Sequence, residues 1–190
     1  MKPNKQNILE AASGLFLEGG TKALSVRAIA KSAGVSTIGI YSHFEGKQGV
    51  LDALYIEGFE KVSAALEAPE AGGDPDQILM QAARNYLDLA DQYRAHYRLI
   101  FGESEAGNQP SSEAKRFGAE AFEKLTRTVA AALPSKQSRQ AQREAALQIW
   151  SLLHGSVSLR YNNVSQLVDM KNFNARVLEA LAILIKGLAS

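Results

Sequence analysis

From Lys5 to Leu188 the apolar residues recur three and four positions apart, and no stretch alternates as a half-buried strand would. That periodicity restricts the chain to an all-α fold. Ile8, Leu9, Ala12, Leu15 and Phe16 form the first stripe, over 5–19, which stops at Gly19-Gly20. Ser25 is suited to cap a short helix that carries Val26, Ile29, Ala30 and Ala33 and is closed by Gly34. Ser36 is suited to cap the next, with Ile40, Tyr41 and Phe44 on its apolar side. A long helix is expected over 46–66, then a Gly- and Pro-rich loop at 68–75. Further helices are expected over 74–94, 96–101, 111–133, 138–161 and 172–188, about nine in all.

Composition narrows the function classes. Hydrophobic residues make up 46% and charged residues 22%, which suits a globular domain and argues against disorder. No apolar run approaches the ~18 residues of a membrane span. The N-terminal residues lack the apolar core of a signal peptide, so the expected location is the cytoplasm. Without that route the Asn163-Val164-Ser165 sequon is a chance match. There are no cysteines, and the three histidines (His43, His96, His154) lie far apart, so no metal site and no cofactor is expected. Ser112 and Lys115 formally match S-x-x-K, but no companion motif accompanies them, and no phosphate loop or G-x-S-x-G is present. No enzyme is expected. Net charge is only +1, yet residues 1–50 carry +3 and residues 51–190 carry −2, an asymmetry of the sign that nucleic-acid contact requires.

The basic end also contains a helix-turn-helix by spacing: helix 25–33, a turn at Gly34-Val35, and helix 36–43. Gly34 suits a left-handed turn, Val35 plugs the angle, and Ala30 is small where the helices cross. In such a motif the second helix enters the major groove and its first half meets base edges. Here that half is Ser36, Thr37, Ile38 and Gly39. Thr37 can donate to or accept from a base edge, Ile38 can touch a thymine methyl, and Gly39 admits close approach. Tyr41, His43 and Lys47 are placed for phosphates. The same spacing also suits two short packed helices of an all-α carrier or adaptor that never meets DNA.

Leu24-Ser-Val-Arg-Ala-Ile-Ala-Lys-Ser-Ala-Gly-Val-Ser36, followed by Tyr41-Ser-His-Phe-Glu-Gly-Lys47 and Val50-Leu51, resembles the signature of the TetR/AcrR family of transcriptional regulators. The Tyr-x-His-Phe-x-x-Lys tail is its most specific part, and the resemblance runs over about residues 5–55. It implies a helix-turn-helix DNA-binding domain, taken as 1–48, and a ligand-binding and dimerisation domain, taken as 49–190. It further implies DNA contacts at Arg27, Thr37, Ile38, Gly39, Tyr41, Ser42, His43 and Lys47. The implied protein is a ligand-responsive regulator, a repressor, that binds a palindromic operator in double-stranded DNA as a homodimer. Two positions depart from the pattern: Gly46 stands where the family often has a polar cap, and Ile38 precedes Gly39 where Gly often comes first.

Beyond the signature, 177–188 is apolar nearly all round, broken only by Glu179 and Lys186, and must be buried on more than one side. It suits either a central core helix or a subunit interface. The family resemblance implies the latter, with the last two helices paired across the dimer and Ala145, Ala146, Ile149, Leu153 and Val157 supplying the second helix. Trp150 and His154 share a helix face, and Gly155 beside them suggests close approach of a helix or ligand. Tyr97, Phe101 and Phe117 join them as candidates to line a site for a small hydrophobic effector, among aromatics that equally suit plain core.

Overall fold

The structure is a computed structural model that describes residues 5–67, 73–102, 109–134, 137–162 and 170–189. Among the described residues there are nine α-helices and no strand, as the periodicity requires. They are α1 (Lys5–Gly19), α2 (Val26–Ala33), α3 (Thr37–Phe44), α4 (Lys47–Ala65), α5 (Pro75–Gln92), α6 (Arg94–Phe101), α7 (Ser112–Ala131), α8 (Arg139–Tyr161) and α9 (Phe173–Leu188). A 3-10 turn, Gly20–Ala23, follows α1. Most of the loop expected at 68–75 and the 163–165 sequon lie outside the described residues. The chain divides into two compact units, Met1–Lys61 with Tyr93–Ala119, and Val62–Gln92 with Glu120–Ser190.

The first unit is organised on α1. Its stripe of Ile8, Ala12 and Phe16 belongs to one core with Ile29 and Ala30 of α2 and Ile40 and Phe44 of α3. Val50, Leu51 and Leu54 of α4 and Leu99 of α6 complete that core. Each large side chain withdrawn from water contributes ~1.5–3 kcal/mol, so the short helices α2 and α3 are held by packing more than by their own helical propensity.

In the second unit the core joins Leu79, Ala83 and Leu87 of α5, Leu125 and Val129 of α7, Ile149, Leu153 and Val157 of α8, and Leu181 and Ile185 of α9. A polar staple ties three of these helices. The mostly buried Arg160 guanidinium lies 2.7 and 2.9 Å from the two Asp91 carboxylate oxygens and donates to Asn174 Oδ1 at 3.1 Å. It also faces the rings of Tyr161 and Phe173. A charge so far from water requires such pairing.

The burial pattern corrects one expectation. Ala145, Ala146, Ile149, Leu153 and Val157 are buried within their own unit and have no surface left for a partner subunit. The large apolar residues of α8 and α9 that are exposed are Leu147, Leu159 and Ile183. At Gly155 a Cβ would meet nothing within 4 Å of this chain, so no helix of the same chain approaches closely there. One side of α9 is core (Val177, Leu178, Leu181, Ile185), and the other exposes Arg176, Glu179 and Lys186 beside the single large apolar residue Ile183.

Candidate nucleic-acid interface

Local chemistry builds the helix-turn-helix. The Ala28 amide donates to Ser25 Oγ at 3.1 Å and the Gly39 amide donates to Ser36 Oγ at 3.1 Å, so each serine satisfies an amide that the helix start leaves open. Between them Gly34 is left-handed (φ 67, ψ 32), and the Val35 amide reaches back to the Ala30 carbonyl at 2.9 Å. That bond closes α2 with the six-to-one geometry of a glycine-terminated helix.

Helix α3 ends on Glu45 (φ 58), a left-handed non-glycine residue, and Gly46 follows at φ 111. A Cβ on Gly46 would lie 3.2 Å from Tyr41 Cε1, so the ring of Tyr41 rests against this bare backbone. Gly46 O then accepts the first bond of α4, from the Val50 amide at 3.2 Å.

With Ile40 and Phe44 in the core, α3 turns Thr37, Ile38, Tyr41 and Ser42 outward. Ile38 is 75% exposed and Tyr41 58%. Ser36 is exposed at the cap, Gly39 lies half-buried on the flank, and Arg27 is exposed in the first turn of α2. Ser42 Oγ donates to the Ile38 carbonyl at 2.9 Å, which leaves it only acceptor capacity. His43 is half-buried with its ring tilted against Phe44.

Lys47 differs from a free surface lysine. It is half-buried, and its ammonium donates to the Thr21 carbonyl at 3.0 Å, within the 3-10 turn. One of its three N–H donors is thereby committed to the fold, and two remain.

The five effector candidates fall into two groups. Tyr97, Phe101 and Phe117 belong to the first unit: Tyr97 is buried and meets Phe101 edge-on at 4.9 Å, and Phe101 meets Phe59 at 5.9 Å. Phe117 is half-buried under the Arg116 guanidinium. Trp150 and His154 belong to the second unit, with ring centroids 5.9 Å apart. Trp150 Nε1 donates to the Tyr86 hydroxyl at 3.2 Å, and Phe122 lies 6.0 Å from the indole. Burial holds the pKa of His154 below its ordinary value, so the imidazole is neutral at pH 7.

Sequence reasoning overlooked a titratable cluster in the first unit. Glu57 lies 2.9 Å from Lys61 and 3.2 Å from His96, and the Lys61 ammonium stands 4.4 Å from the Tyr93 ring centroid. Burial acts to raise the pKa of Glu57, but the Lys61 hydrogen bond and the two neighbouring bases outweigh it and hold the carboxyl low. Burial also lowers His96, more than the Glu57 charge raises it.

Residues 8–54 match the model of the bacterial regulatory proteins of the tetR family, and residues 79–181 match the tetracyclin repressor-like C-terminal domain. Among curated proteins, the probable HTH-type transcriptional regulator YttP of Bacillus subtilis is 32% identical over 102 residues, 52% of this chain and 49% of that one. The chain therefore spans about half the length of that relative. The uncharacterized HTH-type transcriptional regulator Rv0681 of Mycobacterium tuberculosis is 26% identical over 169 residues, 88% of this chain and 75% of that one. Among solved structures, the putative regulatory protein SCO4313 superposes with a TM-score of 0.77 at 25% identity, covering 97% of this chain and 94% of that one.

Proposed function

The chain belongs to the TetR family of bacterial regulatory proteins, and from that premise we propose a cytoplasmic repressor that binds a palindromic operator as a homodimer and is released by a small hydrophobic effector. The observation that carries the DNA-reading part is the presentation of α3. Two buried anchors hold it, and its outward face offers Thr37, Ile38 and Tyr41 within the part of the chain that carries +3. In this reading residues 1–48 are the DNA-binding domain. Ser36, Thr37, Ile38 and Gly39 approach base edges, while Arg27, Tyr41, Ser42, His43 and Lys47 contact the backbone.

Residues 49–190 serve ligand binding and dimerisation. The outward apolar residues of the last two helices, Leu147, Leu159 and Ile183, are the candidates for the dimer contact, with Gly155 and Gly187 admitting close approach. A two-fold dimer explains how one short helix becomes specific, because two half-sites about one helical turn apart are read together.

The effector binds among the helices of residues 74–161, near Trp150 and His154 or near Tyr97, Phe101 and Phe117. A neutral imidazole and several aromatic faces suit an apolar or weakly anionic molecule. Release requires the effector to prefer dimers whose reading heads are misplaced, and a coupling of ~1–3 kcal/mol loosens the operator about 5–150-fold. Helix α4, which contributes residues to both units, is the covalent route for that coupling.

The test is binding to DNA from upstream of the chain's own gene, followed across salt concentrations. A regulator binds there in preference to unrelated DNA and weakens steeply with salt. A helical carrier or adaptor binds neither DNA.

A further inference from the structure

Granted the DNA-reading role proposed above, we infer that α3 recognises its half-site through thymine 5-methyl groups, with Ile38 as the contact, and not through paired hydrogen bonds to purine edges. In the major groove Arg or Lys bridges guanine O6 and N7, Asn or Gln bridges adenine N6 and N7, and an apolar side chain meets the thymine methyl. Helix α3 reads Thr-Ile-Gly-Ile-Tyr-Ser-His-Phe and contains none of the four residue types that make paired contacts. Two hydroxyls at this face are partly engaged already: the Ser36 cap accepts from the Gly39 amide, and Ser42 donates to the Ile38 carbonyl.

The geometry then favours Ile38. At 100° per residue it lies about 160° round the helix from the core residue Ile40, and it is 75% exposed. Its β-branch restricts χ1, so the apolar surface is largely preformed. Gly39 beside it has no packing reason to lack a side chain, since an added Cβ would find its nearest neighbour at 3.7 Å. The bare flank leaves room for a base pair to approach Ile38. Tyr41, one turn away, extends the apolar surface from its seat on Gly46. Arg27, the exposed guanidinium of the motif, stands on α2, the helix that crosses the backbone, so thymine reading concerns the base pairs met by α3.

The full chain is used to select a duplex from a randomised pool, and each thymine of the recovered operator is replaced in turn by deoxyuridine, which removes only the methyl. One or two replacements per half-site weaken wild-type binding about fourfold each, the equivalent of ~0.8 kcal/mol for one buried methyl. The Ile38→Ala variant, altered at an exposed site and checked for native circular dichroism, binds the thymine and uracil duplexes alike. An operator that tolerates uracil everywhere, or a penalty that persists in Ile38→Ala, overturns the thymine reading and leaves DNA binding standing. A pool that yields no enriched duplex overturns the DNA-reading role and this inference with it.

Discussion

Replacing Leu181 by Glu and, separately, Ile183 by Glu tests which side of α9 is core and which meets a second subunit. The two residues are neighbours on one helix, yet Leu181 is 0% exposed and Ile183 is 74% exposed. A glutamate at 181 places an unpaired carboxylate at a fully buried position, at a cost of several kcal/mol. Against a total stability of ~5–15 kcal/mol that removes much of the fold.

At 183 the protomer loses no core contact, so its own fold changes by no more than about 0.5 kcal/mol. The dimer loses the burial of two isoleucines, ~3–6 kcal/mol together, and gains two facing carboxylates. Association then weakens by two to four orders of magnitude. Sedimentation equilibrium and far-ultraviolet circular dichroism read both effects. Leu181→Glu is expected to lose helicity, and Ile183→Glu to remain helical but sediment as a monomer at low micromolar concentration. A wild-type monomer, or an Ile183→Glu protein that sediments as the wild-type dimer, refutes the assignment of this face.

Three further outcomes are expected. Because Glu57, His96 and His154 all have lowered pKa values in the fold, the unfolded chain binds protons first as pH drops. Their stability contribution is complete above the ordinary values, 6.5 for histidine and 4.5 for glutamate, and declines below each. Calorimetric Tm should therefore hold near pH 7–8 and fall below 6.5, less steeply in His96→Gln. Gly46→Ala forces a positive φ on an alanine and pushes its Cβ toward the Tyr41 ring, costing ~1–3 kcal/mol and lowering Tm by about 2–12 °C; an unchanged melt contradicts this. A thermal-shift screen of hydrophobic compounds should find ligands that raise Tm and release operator, with the response lost in His154→Ala or in Tyr97→Ala. Ligands that raise Tm without altering operator affinity exclude the release mechanism, and two variants that respond as wild type exclude both proposed sites.

Legibility from sequence followed the range of the interaction. The helix-turn-helix was readable because its determinants are local: Ser25 and Ser36 bond amides three residues on, and Gly34 needs only its own left-handed backbone. The break between the helices expected over 74–94 and 96–101 falls two residues earlier, at Tyr93. The left-handed Glu45 carried no such mark. Contacts between distant segments left no trace in the spacing. Glu57 and His96 meet from different helices, and Lys47 finds Thr21 instead of lying free on the surface. The family resemblance likewise placed Ile149 and Leu153 at an interface, and they lie inside their own unit, because a stripe of apolar residues does not say what covers it. The aromatic effector candidates had the same ambiguity, and they divide between the two units.

The central claim is that α3 and the residues around it read DNA, and the most direct measurement is operator affinity against salt for wild type, Thr37→Ala and Lys47→Ala. Fluorescence anisotropy with the selected operator and with single-base variants of it supplies both salt slope and ranking. Lys47→Ala should weaken binding to every sequence and reduce the slope of log K against log salt by about two, as expected for one lost phosphate contact in each of the two subunits. Thr37→Ala should leave the slope alone and change the ranking of operator variants at one position by the ~0.5–1.5 kcal/mol of a single hydrogen bond. Equal affinity, slope and ranking for wild type and a variant carrying both changes would contradict the account.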